Sequence, residues 1–349
     1  MLGQLWFFIG ATAEVLPDLI QASPTCGIKV FMGSMSGALL VDQAEILDRI
    51  FAQGSRLIAV HAEDQARIAQ RRQEFAGNPD PAIHSIIQDN QAALNATQLV
   101  LTLAKKYQRR LHILHLSTAE EADLLRQDKP QWVTAEVTPQ HLLMNTSAYE
   151  KIGTLAQMNP PLRSPHDQEV LWQALLDGVI DFIATDHAPH TLAEKGQITA
   201  QRDASAADTL LLEPANVPSG MPGVETSLPL MLTQAMAGKC TVAQVSQWMS
   251  RNVARAYGIA HKGVIAPGYD ADLVLVDLQT YRPVLRAELL TKCGWSPFEG
   301  WNLTGWPVVT IVGGQIVYER GRLYQEVRGQ ALNFSDSSNM ETMGLDILS

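Results

Sequence analysis

Four segments of the chain each place a titratable or metal-competent side chain in or directly after an apolar run. Lys29 lies inside GIKVFMG, His61 inside AVHAED, His115 inside ILHLST, and Asp186 is the second residue of TDHAPH. Neutral imidazole is a common zinc ligand, and either histidine reads equally well as a ligand or as a satisfied residue at a strand end. A carboxylate at position 186 can bind a metal, take a proton from a nucleophilic water and pass it to a leaving nitrogen. The D-H-x-x-H spacing of Asp186, His187 and His190 favours a site over a chance loop, with His187 supporting and His190 reaching into the mouth.

Strand alternation turns Lys29 away from the face of Ile28 and Val30, and burial there disfavours its charge. A neutral Lys29 amine can add carbon dioxide to form a carbamate able to bridge two metal ions; a charged one would hold a rim salt bridge. Both readings stay open from this segment. His112 precedes His115 by three positions, so alternation sends it to the other face as a structural residue. Asn159 stands before Pro160 and Pro161, which fix the chain and give its amide a rigid mount for a small polar ligand, or simply an Asx-type turn. Glu136 and His141 read as residues that support the site from behind.

These residues need a frame that brings several strand ends together. Six apolar segments, 5–11, 27–32, 56–62, 111–117, 132–137 and 179–186, alternate with amphipathic helical stretches such as LVDQAEILDRIFAQG and DNQAALNATQLVLTLAKKY. Strand and helix in alternation indicate a parallel sheet with right-handed crossovers. Single polar residues at the C-terminal ends of several strands favour a β/α barrel over an open dinucleotide fold, which also lacks its Gly-rich loop here. The expected division is a β/α barrel portion over 1–262, a β-rich accessory module over 263–329, and a polar tail without fixed structure over 330–349. The polar, Ala-rich stretch 194–219 is expected to be a mobile loop over the mouth.

The 349 residues include 26 Lys and Arg against 36 Asp and Glu, a formal charge of −10. That balance argues against nucleic acid or an anionic membrane as partner. No apolar run approaches the length of a membrane span and the start lacks a basic signal-peptide region, so a cytoplasmic location is expected. Cys26, Cys240 and Cys293 are too few and scattered for a disulfide framework or a thiolate metal site.

In order along the chain, KVFMG, HAED, HLST, MNPPLR, ATDHAPHT and GMPGVET resemble the dihydroorotases of the amidohydrolase superfamily, from about Trp6 to about Gly321. The resemblance implies a metal-dependent, TIM-like β/α barrel with a C-terminal β-sandwich portion. It further implies two Zn2+ bridged by carboxylated Lys29, with His61 and His115 on the second metal and Asp186 as ligand and catalytic acid/base. Asn159, His190 and the backbone around Pro222 and Gly223 would hold the substrate ring. The implied reaction is reversible hydrolysis of dihydroorotate to N-carbamoyl-aspartate, in pyrimidine biosynthesis. The family's HxH and following Arg occur nowhere in the chain, which reads as about six of eight barrel strands. On that reading the first metal keeps only Lys29 and Asp186, and the chain is expected to be weakly active or inactive unless another chain completes it. The alternatives are a non-catalytic scaffold for aspartate transcarbamoylase, and another cyclic amide hydrolase such as an allantoinase or hydantoinase. Self-association is expected in each case.

Overall fold

A computed structural model describes residues 5–12, 14–34, 37–196 and 217–334. Six strands, β1 (Ile9–Gly10), β2 (Ile28–Phe31), β3 (Ile58–His61), β4 (Leu111–Ile113), β5 (Val133–Val137) and β6 (Phe182–Ile183), form one parallel sheet in chain order. The first crossover carries α1 (Leu16–Gln21), the second α2 (Ala44–Ala52), and the third α3 (Gln65–Glu74), α4 (Ile83–Ile87) and α5 (Asn90–Tyr107). Between β4 and β5 lies α6 (Ala119–Asp128), and before β6 come α7 (Pro139–Leu143), α8 (Ala148–Ile152) and α9 (Pro165–Leu176). After β6 follow α10 (Ser227–Met236), α11 (Val242–Ser246) and α12 (Asn252–Tyr257).

Period-two alternation sorts the strands into two faces. Ile28, Val30, Ile58, Val60, Leu111, Ile113, Val133 and Val137 pack into the main apolar core against the helices. Ile58 and Val60 are fully buried, and each such side chain contributes roughly 1.5–3 kcal/mol on leaving water. The alternate positions, Lys29, Phe31, His61, His112, Thr134, Glu136 and Phe182, therefore share the other face. Helix starts are fixed by the sequence: Asp89 caps α5, and Thr118 with Glu121 and Ser164 with Asp167 form capping boxes on α6 and α9. Asp167 also accepts from Ala119 N (2.9 Å) and Asn90 Nδ2 (2.9 Å). One carboxylate thus ties three helix N-termini together on the side where the strands end.

β1 and β6 are the edges of this sheet. Tyr257 of α12 stands between them, with ring centroids 6.0 Å from Phe8, next to β1, and 6.0 Å from Phe182 on β6. Phe182 in turn stacks on His112 at 4.7 Å and 11°. Aromatic rings thus fill the floor of the enclosure.

A second, antiparallel sheet has the order β10 (Arg322–Leu323), β9 (Gln315–Glu319), β8 (Asn302–Val312) and β7 (Leu273–Pro283). It lies within the expected β-rich module and is one layer, joined to the first unit through α10. Thr233 Oγ1 accepts from Thr304 N (2.8 Å) and donates to Thr304 O (3.2 Å). Of the expected tail, residues 330–334 lie along the barrel unit: Leu332 N bonds Leu5 O (3.3 Å) and Ala260 N bonds Asn333 O (3.0 Å). Positions 335–349, like 197–216 of the expected loop, lie outside the described residues.

Candidate metal centre

His61 and His115 meet at the C-terminal ends of β3 and β4. His61 Nδ1 is 3.0 Å from His115 Nε2, and both residues are buried. His61 Nε2 lies 2.7 Å from Glu63 Oε2. Burial opposes ionisation of Glu63, but its bond to His61 and the charges of His61 and Arg163 outweigh that and hold the carboxyl below its ordinary pKa. An ionised Glu63 only accepts, so Nε2 of His61 carries a proton, and whenever the ring is uncharged its Nδ1 turns a lone pair toward His115. If His115 Nε2 then donates to it, His115 Nδ1 is left as a buried atom with no partner among the described residues. A cation between the two rings would use both lone pairs, so this donor set fits a metal. Burial and the nearby His61, Lys29 and His141 push the His115 pKa well down, keeping that ring neutral and available as a ligand.

Lys29 and Asp186 lie within electrostatic reach of this pair. Lys29 Nζ sits 4.4 Å from the Phe31 ring centroid. Burial lowers its pKa to about 8, against the opposing pull of Asp186 and Glu136. Asp186 is raised, by burial first, with His61 and Lys29 drawing it back and Glu136 pushing it further. Each thus sits closer to neutrality than in water. Among the described residues no three His, Cys, Asp or Glu side chains form a metal-holding group by themselves. A carbamate on Lys29 would add an oxygen donor beside the two histidines.

Two of these residues have left-handed backbones, His115 at φ 37° and Asp186 at φ 42°. Such conformations cost about 1–3 kcal/mol each and persist where surrounding structure imposes them. At His115 the turn also corrects the expectation from alternation. His112 and His115 do not face opposite ways: the strand ends at Ile113, and the left-handed residue swings its ring back over the enclosure that His112 already faces. His112 is structural, bonded to Thr134 Oγ1 (2.8 Å) and Glu136 Oε2 (2.9 Å).

The rim is stitched from three loops. His187 Nδ1 accepts from Gly223 N (3.1 Å) and Val224 N (3.3 Å), and Gly220 N donates to Gln157 O (2.9 Å). Pro222 and Gly223 are buried within this seam. A Cβ on Gly223 would lie 2.9 Å from Thr185 O and from Gln140 Nε2, so the close approach beside Asp186 requires glycine. Asn159 Oδ1 accepts from His84 Nε2 (3.0 Å). His190 is half-buried and anchored by its carbonyl to Trp295 Nε1 (2.8 Å); among the described residues no hydrogen bond joins its ring to Lys29, His61, His115 or Asp186. His141 donates or accepts at Thr138 Oγ1 (2.9 Å) and reaches the Pro160 and Pro161 carbonyls at 3.2 Å, so it braces the Asn159 loop.

Sequence reasoning missed the layer behind His61. The Gln88 carboxamide, with its NH2 toward the acid, donates to Glu63 Oε1 at 3.0 Å and reaches Asn159 Oδ1 at 3.1 Å, while Ser34 Oγ donates to Glu63 Oε2 at 2.5 Å. Buried Arg163 donates to Gln88 O and to Ser117 Oγ. Glu63 was readable, being two positions after His61 in HAED; Gln88 and Ser34 carry no such signal.

The amidohydrolase family pattern matches residues 45–317. Dihydroorotase of Methanosarcina mazei is 35% identical over 318 residues, covering 87% of this chain and 66% of that one. Dihydroorotase of Halobacterium salinarum is 36% identical over 313 residues, covering 89% and 69%. Among solved structures, L-hydantoinase (dihydropyrimidinase) from Arthrobacter aurescens superposes with a TM-score of 0.86 at 29% identity, covering 95% of this chain and 73% of that one. The chain spans about two thirds of the length of these curated relatives. Its six-stranded sheet is accordingly the corresponding part of a TIM-barrel-type fold, and the chain belongs to the amidohydrolase family, with dihydroorotases as its sequence relatives.

Proposed function

We propose that the chain is a dihydroorotase, hydrolysing the cyclic amide of (S)-dihydroorotate to N-carbamoyl-L-aspartate and the reverse, in pyrimidine biosynthesis. The observation that carries this is the facing pair His61 Nδ1 and His115 Nε2, 3.0 Å apart, in one enclosure with Lys29 and Asp186. Zinc suits this donor set, with His61, His115, Asp186 and a carbamate on Lys29 as its holders, and when bound would polarise the amide carbonyl and activate water. Lys29 adds carbon dioxide as the neutral amine, losing one proton as the nitrogen–carbon bond forms; its lowered pKa favours that form. Asp186 takes the proton of the attacking water and returns it to the ring nitrogen as the carbon–nitrogen bond breaks. Its raised pKa suits an acid that must also give the proton up. Asn159, held by His84, and the seam of Pro222, Gly223 and His190 position the ring.

A hydantoinase is the second reading, favoured by the Arthrobacter aurescens superposition at 29% identity. The dihydroorotases, at 35–36%, favour the first. Turnover of dihydroorotate, hydantoin and allantoin, measured side by side with zinc and bicarbonate supplied, tests the choice: dihydroorotate should be preferred, and exclusive turnover of hydantoin or allantoin overturns it. Self-association and a cytoplasmic location go with this reading, and a partnership with aspartate transcarbamoylase goes with the alternative of a non-catalytic scaffold. Co-elution of the chain with aspartate transcarbamoylase on size exclusion tests the partnership. Among the described residues no helix is long and apolar enough to cross a membrane.

A further inference from the structure

At the opposite end of the sheet, where the strands begin, a cavity of about 410 Å³ is walled by Arg56, Arg109 and Arg110 and, among the described residues, by no acidic side chain. Gln108, left-handed at φ 49°, ends α5, and Arg109 N closes back on Ala104 O (2.9 Å), which turns the Arg109 side chain inward. Arg109 is 3% exposed, and among the described residues its Nε, Nη1 and Nη2 have no hydrogen-bond partner. The guanidinium lies beside two other lining residues: a Cβ on Gly54 would be 3.5 Å from Nη1 and 3.8 Å from Ile20 Cγ1. Arg56 and Arg110 are half-buried, and each spends a terminal nitrogen on a backbone carbonyl, Ile20 O (3.4 Å) and Ala256 O (2.8 Å).

A buried guanidinium with all its donors unmet is costly, and two like charges beside it add to the cost. Burial, then Arg110 and Arg56, lower the Arg109 pKa to about 10, so it stays charged at neutral pH. The arrangement is relieved by an anion, and the planar fork of arginine matches phosphate oxygens two at a time. We propose that this cavity binds a phosphate-bearing anion, with Arg109, Arg110 and Arg56 as its ligands. The volume lies in the range of small-ligand sites and admits a phosphate chain, free or on a small organic body such as a nucleoside. Gly27, Leu57 and Arg110, which line it, lead into β2, β3 and β4. A ligand here grips the starts of the strands whose far ends carry Lys29, His61 and His115, and so acts on their stability rather than on the reacting atoms.

Thermal unfolding of the full chain, with inorganic pyrophosphate or a nucleoside triphosphate titrated at constant ionic strength, tests this without any turnover. The unfolding midpoint should rise saturably with pyrophosphate, half-saturating below about 1 mM. Tighter binding of the nucleotide than of pyrophosphate identifies the organic body as part of the ligand, and equal binding identifies the phosphate chain alone. Arg109→Met, with its secondary structure checked by circular dichroism, should weaken the response at least tenfold. Arg56→Gln, on a half-buried side chain whose loss leaves the core intact, should weaken it as well. No saturable rise, or the same half-saturation in both variants as in the parent chain, overturns the site.

Discussion

Asp186 and Glu63 act on the same few ångströms by different means, and substitution separates them. Asn tolerates the left-handed backbone that Asp186 adopts, so Asp186→Asn keeps the loop while removing the proton carrier. With the rest of the barrel supplied to complete the first metal site, turnover of dihydroorotate should fall about 10²–10⁴-fold, the range of a lost general acid/base, with the far-ultraviolet spectrum unchanged. Turnover within twofold of the parent would rule out the proton transfer assigned to Asp186. Glu63 touches no substrate on this reading; it fixes which His61 nitrogen carries the proton. Glu63→Leu should therefore weaken zinc binding by about 10–100-fold, the usual effect of losing such a partner. Glu63→Gln, whose amide oxygen still accepts from Nε2, should recover most of that affinity in competition with a chelating dye. Equal loss in both variants would point to the charge of Glu63 rather than to its hold on the ring.

At the scale of elements, β2 and β3 set the site because their ends approach unusually closely. A Cβ on Gly33, just past β2, would lie 2.6 Å from Glu63 O, just past β3. Gly33→Ala must push these ends apart and, with them, Glu63 and His61. We expect a loss of about 1–3 kcal/mol by urea unfolding, the usual cost of overpacking, together with weaker zinc binding. Unchanged stability would mean the ends are free to separate. The strands that carry this geometry were legible in the sequence, since GIKVFM and RLIAVHA show both the apolar run and the alternation that exposes Lys29 and His61. So was Asp186, from the D-H-x-x-H spacing. What alternation could not give was His115: its ring reaches His61 through one left-handed residue after β4 ends, and no residue type announces that turn at a histidine. Nor could it give Gln88 and His84, which come from α4 in a long crossover and meet Glu63 and Asn159 only through the packing of that crossover against the rim.

Taken whole, the molecule disfavours the charged forms of several of its buried histidines and lysines, and this sets its response to pH. Burial holds the pKa of His84 down, and burial with the Arg163 charge lowers that of His141 to about 4. Between the unfolded value near 6.5 and these lower values, falling pH protonates the unfolded chain but not the folded one. Stability should therefore drop from pH 6.5 toward pH 4, by of order 1 kcal/mol per pH unit for each group fully shifted. On the alkaline side Lys195, fully buried with Nζ on Gln157 O (3.0 Å) and Pro218 O (2.9 Å), has its pKa lowered by burial to about 7. Above pH 7 the folded chain gives up this proton while the unfolded chain keeps it to near 10.4, so stability should rise. Lys29 adds to the rise above about pH 8. From near pH 9 the Cys26 thiol, pushed up to about 12 by burial, ionises in the unfolded chain first and works in the opposite sense, so the rise becomes shallower. Urea midpoints at pH 4.5, 7 and 9 should thus increase in that order. In Lys195→Met, which lacks the titrating amine and also its two carbonyl bonds, stability at pH 7 should be lower and the gain between pH 7 and 8 should vanish. A parent profile that is flat from pH 7 to 9 would show that Lys195 is not held neutral in the folded chain.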